Sequence, residues 1–214
     1  MRIGILGTGD VGKALASAFI ALGHDVKMGA REAGNAKAAA WAAQAGARAS
    51  AGTFADAAEF ADIAVLATLG AANEDVLAAA GADRLRGKVL IDATNPLDMT
   101  GGPPPKLSVG HTDSGGEQVQ RQVPGALVVK AFNTVGNAHM FRPSFPGGRP
   151  DMFIAGNDAG AKKKVAALLD DFGWGVVDVG GIESSRYLEA MCIVWVLHGI
   201  ATGTWNHAFK LLTM

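Results

Sequence analysis

The chain has 214 residues, 49% of them hydrophobic and 18% charged, so it can form one sizeable core, which argues against disorder. Its formal net charge is −1, which argues against the basic surface that nucleic-acid binding requires. The single cysteine, Cys192, cannot form a disulfide within the chain and is expected to be a buried thiol.

The first half of the chain alternates between short apolar runs and amphipathic segments. Apolar runs predict buried strands, whereas apolar residues three or four positions apart predict helices. The predicted strands are Arg2–Leu6, Asp25–Met28, Asp62–Thr68 and Lys88–Ala93. The predicted helices are Gly12–Leu22, Asn35–Ala45, a short helix capped by Thr53 and Asp56, and a helix near Glu74–Ala80.

A long segment from Asn95 to Asp113 interrupts this alternation. It contains Gly101-Gly102 and three consecutive prolines, and a loop of this length in a compact domain is usually functional or mobile, so we expect a lid. The strands predicted after it are Leu127–Phe132, Met152–Ala155 and Val176–Val179. The helices predicted after it are Ser114–Val123, Ala159–Phe172 and the whole chain from Ser184 onward, including Trp205.

The alternation of strands and helices predicts the fold class. We expect an α/β fold with a Rossmann-type, doubly wound and mainly parallel sheet, followed by a short C-terminal helical segment. Because the first predicted strand begins at Arg2, no signal peptide is expected, and we predict a cytoplasmic protein.

The C-terminal region is apolar on several sides. The charge-free run that begins at Ala190 and stops at Lys210 is interrupted by histidines and glycines, so we expect a buried helix and no membrane partner. Since the other faces of this helix are also apolar, we predict a homodimer through residues from about Ser184 to Leu212. The stripe predicted to face the core consists of Ile193, Val196, Leu197 and Ile200.

The first strand leads directly into the sequence GTGDVG, which runs from Gly7 to Gly12. Gly7 permits a tight turn, Gly9 lets the backbone approach a pyrophosphate, and Gly12 lets helix and strand pack closely. The phosphates would meet free N–H groups at the N-terminus of the following helix. A glycine motif between a strand and a helix therefore predicts dinucleotide binding.

The second strand delivers Arg31 to the place where NAD-binding proteins usually carry an acidic residue. A guanidinium binds a phosphate through two parallel hydrogen bonds, whereas a carboxylate would repel it. We therefore predict NADP as the cofactor, with Arg31 on its 2′-phosphate and Lys37 adding positive charge.

Six stretches of the chain, in order, resemble one family of enzymes. They are GTGDVGKALASAFIALGHDVKMGAR, DIAVLAT, DATNPL, VVKAFNTVGNAHM, DMFIAGND and VVDVGGIESSRYLEAM. Together they resemble the NADPH-dependent reductases of coenzyme F-420, and the cytosolic reductase domain of the six-transmembrane metalloreductases is similar too. The likeness covers nearly the whole chain.

The resemblance implies hydride transfer between NADPH and a flavin-like acceptor, coenzyme F-420 or another flavin. Asn133 stands where some deazaflavin reductases have histidine and where metalloreductase-like members have asparagine, and Ala30 replaces a serine that is common in the family. The implied cofactor-binding residues are Thr8, Gly9, Asp10 and Val11 on the pyrophosphate, Thr68, Leu69, Asn95 and Pro96 on the ribose and nicotinamide side, and Thr134, Val135 and Asn137 near the nicotinamide and the acceptor ring. We divide the chain into an NADP-binding domain with an extended sheet, residues 1–182, and a helical segment for the acceptor pocket or dimerisation, residues 183–214.

Hydride transfer requires two rings held at near-attack distance in a dry pocket, which suits a sequence without an evident acid–base dyad. Asn133, at the end of a predicted strand, is the predicted catalytic residue, which would orient the nicotinamide carboxamide or an acceptor carbonyl. The five histidines lack metal-ligand spacing and Cys192 has no CxxC partner, so no metal site is predicted.

Two other functions stay open at this point. One is an NADP-dependent dehydrogenase or reductase of a small hydroxy acid or imine, although such enzymes usually add a large helical domain and too few residues follow Val179 to form it. The other is a non-catalytic NADP-binding sensor, which the absence of acid–base residues does not exclude.

Overall fold

The structure, a computed structural model, describes residues 1–214 and contains ten strands and eight α-helices. The strands are β1 (Arg2–Leu6), β2 (Asp25–Ala30), β3 (Ala49–Thr53), β4 (Ile63–Leu66), β5 (Val89–Asp92), β6 (Leu97–Asp98), β7 (Lys106–Leu107), β8 (Leu127–Lys130), β9 (Asp151–Gly156) and β10 (Gly175–Asp178). The helices are α1 (Asp10–Ala21), α2 (Ala36–Ala45), α3 (Phe54–Phe60), α4 (Asn73–Ala80), α5 (Ala82–Leu85), α6 (Gly115–Gln122), α7 (Ala159–Asp171) and α8 (Ser185–Thr202).

Eight of the strands form one sheet in the order β3-β2-β1-β4-β5-β8-β9-β10. Every neighbouring pair is parallel except β8 and β9, which run antiparallel. The predicted Rossmann-type, mainly parallel sheet is therefore confirmed. The chain moves outward from β1 to β3, returns to β4 beside β1, and then continues in the other direction, so the order reverses between β1 and β4.

Apolar side chains cover both faces of the sheet, as expected for parallel strands that carry helices on each side. The larger cluster joins the sheet to α1, α2 and α7 and includes Phe19, Trp41, Phe172 and Trp174. The smaller cluster joins the other face to α3, α4 and α6 and includes Leu77. The strands therefore read as continuous apolar runs, which is why the sequence shows them clearly.

Most predicted elements are present within a few residues of their expected ends, and the capping box of Thr53 and Asp56 is formed. β3 was not predicted, because its sequence ASAGT is only half-buried and small. The long loop is also more ordered than expected, since β6 and β7 pair as a short antiparallel hairpin inside it.

The predicted C-terminal helix is wrong over its last part. α8 ends at Thr202, where Gly203 takes a left-handed φ of 66°, and the residues after Gly203 are not helical. The chain turns back instead, so that the Trp205 ring packs on Gly199 and the Phe209 carbonyl accepts a 2.9 Å hydrogen bond from the backbone N–H at the start of β9. A glycine in the left-handed conformation is a common helix stop, and here it outweighs the apolar pattern beyond it.

The predicted core-facing stripe of α8 is also wrong. Leu197 and Ile200 are 46% and 45% exposed, and Ile193 and Val196 are only half-buried. The buried face consists of Ser185, Leu188, Glu189, Cys192 and Gly199. No helix of the structure is both long enough and apolar enough to cross a lipid bilayer.

Candidate functional site

A cleft of about 600 Å³ opens at the carboxyl ends of β1 and β4, where the strand order reverses. Ligands of open α/β sheets bind at such a switch point. The glycine loop, the end of β2, the segment after β4 and one residue of the chain after β8 surround it. The predicted site residues that line it are Gly7, Thr8, Gly9, Asp10, Val11, Arg31, Thr68, Leu69 and Asn137.

The three glycines of the loop differ in what surrounds them. Gly7 has a φ of +137°, and a Cβ on it would collide with the carbonyl oxygen of Ala67. A Cβ on Gly12 would meet the Gly7 carbonyl oxygen at 2.5 Å, so the turn itself requires these two glycines. Gly9 has an ordinary φ of −75°, and a Cβ on it would meet no atom within 4 Å. Packing within the protein gives no reason for a glycine there, whereas a ligand lying against the backbone does.

The first turn of α1 presents N–H groups to this space. No side chain caps the helix at Gly9, and the first N–H groups of a helix have no partner within it. They lie at the positive end of the helix dipole and suit an anion. Asp10, in the first turn, fits this role through its backbone, because its carboxylate would repel a phosphate. The loop therefore has the chemistry of a pyrophosphate site.

Arg31 directly follows β2 and lines the same cleft. Its side chain is exposed and takes part in none of the ion pairs of the structure. Its guanidinium is thus available for a phosphate. Lys37, by contrast, lies in the first turn of α2 and lines a shallow cavity beside Lys13 and Trp41.

Thr68 and Leu69 form the wall of the cleft after β4. The Leu69 side chain is 81% exposed, which places a large apolar group on the rim, where it can cover a flat ring. The Thr68 hydroxyl donates a 3.0 Å hydrogen bond to Asn73 Oδ1 at the start of α4. The wall therefore combines one apolar and one polar contact, as small-molecule sites usually do.

Asn133 is buried beyond the end of β8, and Phe132 before it turns the chain with a left-handed φ of 64°. Its Nδ2 donates to the Leu188 carbonyl oxygen at 2.9 Å and to Asn95 Oδ1 at 3.0 Å. Because the Leu188 carbonyl can only accept, the orientation of the amide is fixed. Asn133 Oδ1 is buried and has no hydrogen-bond partner within the chain. This oxygen is a free acceptor, but Asn133 is buried and does not line the cleft.

The other predicted site residues do not line the cleft. Asn95 holds Asn133 through both ends of its amide, since its own Nδ2 donates to the Asn133 backbone carbonyl at 2.8 Å. The predicted residues that are buried without lining the cleft are Gly12, Pro96, Thr134 and Val135.

A buried group of three charges was not predicted from the sequence. Lys130, the last residue of β8, donates to Asp92 Oδ2 at 3.0 Å and to Glu189 Oε1 at 2.7 Å, and all three side chains are buried. Burial alone would lower the pKa of Lys130, but the two carboxylates together outweigh it and hold that pKa above its ordinary value. The Glu189 carboxylate also accepts from the backbone N–H groups of Gly115 and Gly116, so it ties α8 to α6 and to the sheet. The available signal was a lysine within the apolar run VVKAF.

The cleft contains few groups for acid–base chemistry. Asp10 and Arg31 are the titratable residues of its lining, and no group of three or more His, Cys, Asp or Glu side chains is placed to bind a metal ion.

The family model described as NADP oxidoreductase, coenzyme F420-dependent, matches residues 2–96. F420-dependent NADP reductase from Methanothermobacter thermautotrophicus is 33% identical over 198 residues, which cover 88% of this chain and 85% of that protein. A crystal structure from Arthrobacter sp. FB24, described as a candidate F420-dependent NADP reductase, is 41% identical with a TM-score of 0.93, and each chain covers 100% of the other.

More distant relatives share part of their length with this chain. Metalloreductase STEAP3 from Rattus norvegicus is 28% identical over 190 residues, and the match spans 89% of this chain but only 36% of that protein. An imine reductase from Streptomyces aurantiacus has a TM-score of 0.69 at 17% identity, which shows a shared fold over 64% of its chain. The fold, the cleft and the full-length relatives agree with one another, and the chain is an NADP-dependent oxidoreductase that belongs to the F420-dependent NADP reductase family.

Proposed function

We propose that this protein transfers a hydride between NADPH and a flavin-like ring, and that coenzyme F-420 is its acceptor. The observation that carries the proposal is the cleft that joins an open glycine loop to an unpaired Arg31. When bound, the dinucleotide supplies the hydride, and the protein supplies position and a dry surface. The relatives that are similar over most of their length carry F420 in their names, which supports this acceptor.

Within this proposal, the glycine loop holds the pyrophosphate and Arg31 holds the 2′-phosphate. The nicotinamide extends past Thr68 and Leu69 toward Asn133, whose unpaired Oδ1 would accept from the carboxamide N–H₂ once the bound ring displaces the side chains that cover it. Asn133 is less suited to donate to a carbonyl of the hydride acceptor, because both hydrogens of its amide are already donated within the protein.

The phosphate assignment is tested by Arg31→Glu. Loss of one bidentate phosphate contact is worth about 1.5–3 kcal/mol, so NADPH and 2′,5′-ADP should bind roughly tenfold to hundredfold more weakly, while NADH binding should change little. Lys163→Glu, an equal change of charge on the exposed face of α7, is the matched control. Equal affinity of the wild type for NADPH and NADH would contradict the assignment.

The Asn133 assignment is tested by Asn133→Ala. Turnover of NADPH should fall, because the carboxamide loses its acceptor, while 2′,5′-ADP, which has no nicotinamide, should bind as it does to the wild type. A fall in 2′,5′-ADP affinity would instead mean that the substitution damages the fold.

The acceptor is tested by NADPH oxidation with coenzyme F-420, FMN, FAD, ferric chelates and a cyclic imine. The second candidate, an imine reductase, is favoured only by shared fold with proteins of which this chain covers less than two thirds. Turnover with F-420 above all others would support the proposal, and turnover with the imine alone would replace it.

We also propose that two copies of the chain pair through α8 and work in the cytoplasm. The exposed side chains of Tyr187, Val194 and Leu197 lie at helical spacing on one unpaired apolar stripe, as in helices that pack on a partner helix. Light scattering should give about twice the 21.9 kDa chain mass. Val194→Arg should yield monomers, whereas Thr202→Arg, off the stripe, should not. A monomeric wild type would refute the pairing.

The division into residues 1–182 and 183–214 remains a proposal.

A further inference from the structure

A line of hydrogen bonds connects the buried charges to the wall of the cleft. Asp92 Oδ1 accepts from both the N–H and the hydroxyl of Thr94, at 2.9 and 2.7 Å. The Thr94 hydroxyl oxygen accepts from Asn73 Nδ2 at 2.8 Å, and Asn73 Oδ1 accepts from the Thr68 hydroxyl at 3.0 Å. Thr68 lines the cleft, so the line begins at the cleft and ends at a buried carboxylate.

The direction of every hydrogen bond in this line is fixed by Asp92. The carboxylate accepts, so Thr94 must give it the hydroxyl proton, and Thr94 then accepts from Asn73. In turn, Asn73 presents its oxygen to Thr68, which donates its own proton away from the cleft. The Thr68 oxygen can therefore only accept from a ligand. Dipoles aligned in one direction also strengthen one another.

The charges behind the line do not cancel. Asp92 and Glu189 carry two negative charges against the one positive charge of Lys130. All the partners of the two carboxylates are donors, which is consistent with both being ionised. The N-terminus of α6, which faces Glu189, contributes about half a positive charge, so the balance remains negative.

We propose that this buried negative charge favours the oxidised dinucleotide in the cleft. The nicotinamide ring is neutral in NADPH and cationic in NADP⁺, so a negative potential on the Thr68 side stabilises the oxidised form and makes bound NADPH a stronger hydride donor. Asn73, Thr94 and Asp92 act as positioning residues, because in this arrangement only Thr68 touches the ligand. The inference rests on the proposed function, in which the nicotinamide lies beside Thr68.

The test compares the affinities of Asp92→Asn for NADP⁺ and NADPH by calorimetry. The two ligands differ only in the ring, so a purely structural defect weakens both alike, whereas lost charge weakens NADP⁺ selectively. The loss of one unit charge behind the wall of the cleft, at an effective dielectric constant of about 20, predicts a shift of roughly threefold to tenfold in the ratio of the two dissociation constants. Asp62→Asn, which removes a carboxylate at the opposite end of β4, should leave the ratio unchanged.

A second variant keeps the inference testable if Asp92→Asn does not fold. Thr68→Val removes the end of the line at the cleft and should shift the ratio in the same direction by a smaller factor, and Thr68→Ser should restore it. An unchanged ratio in a variant that folds would refute the inference while leaving the proposed function intact. A wild type that binds neither dinucleotide would refute both.

Discussion

Lys130→Met should destabilise the protein more than any exposed ion-pair substitution. The change keeps most of the length of the side chain but leaves Asp92 and Glu189 buried without their shared cation. Breaking a buried ion pair by removing one partner costs about 3–5 kcal/mol of unfolding free energy, because the remaining charge is uncompensated. For a chain of this size, the loss corresponds to a Tm lower by about 6–20 °C.

The measurement is urea denaturation of the wild type, Lys130→Met and the control Arg2→Met. Arg2 pairs with Asp62 on the surface, where solvent screens the attraction, so Arg2→Met should change the free energy of unfolding little. Because the pKa of Lys130 is raised in the folded protein, its contribution to the free energy of unfolding is complete at any pH below its ordinary pKa of 10.5. That contribution is lost only as the pH rises through the higher pKa of the folded state. The difference between wild type and variant should therefore stay constant between about pH 7 and about pH 9.

Two results would refute this reasoning about the buried charges. One is that Lys130→Met lowers the free energy of unfolding by no more than Arg2→Met does. The other concerns the triple variant Lys130→Met, Asp92→Asn, Glu189→Gln. Removing all three charges leaves no uncompensated ion, so the triple variant should recover part of the stability. A triple variant less stable than Lys130→Met would mean that packing rather than charge explains the loss.

Three further predictions concern other parts of the chain. Saturating NADP should slow limited proteolysis between Asn95 and Asp113 if this segment closes over the cleft, and unchanged cleavage would argue against a lid. The hydrogen bond to Arg121 is the main cause that lowers the pKa of Asp113 to about 2. The ionised carboxylate therefore stabilises the fold fully at pH values above its ordinary pKa of 3.8, and this stabilisation is lost as the pH falls through about 2. Asp113→Asn should remove that part of the acid dependence, about 1 kcal/mol or less because the ion pair is half-exposed. Burial raises the pKa of the Cys192 thiol to about 11, so alkylation near pH 8 should be slow until urea unfolds the protein, and fast labelling of the native state would contradict its burial.

The sequence by itself determined the sheet, the glycine loop and the arginine after β2. Each rests on a local rule: apolar runs form buried strands, glycines with a positive φ or a close carbonyl form the turn, and a residue directly after a parallel strand emerges at its carboxyl edge. Gly7, Gly12 and Arg31 lie where these rules place them, because the relevant partners are close in the chain or follow from strand order. Resemblance added the family, which composition and periodicity alone do not indicate.

Only the tertiary structure decided which polar side chains are buried and which apolar ones are not. Lys130 meets Asp92 across 38 residues and Glu189 across 59, and no local pattern reports such distances. The same is true of α8, whose apolar faces are equivalent in the sequence until α6, the sheet and the returning tail cover one of them. A charge can be buried only when distant segments bring its counter-charges and donors to it, so these positions depend on packing of the whole chain.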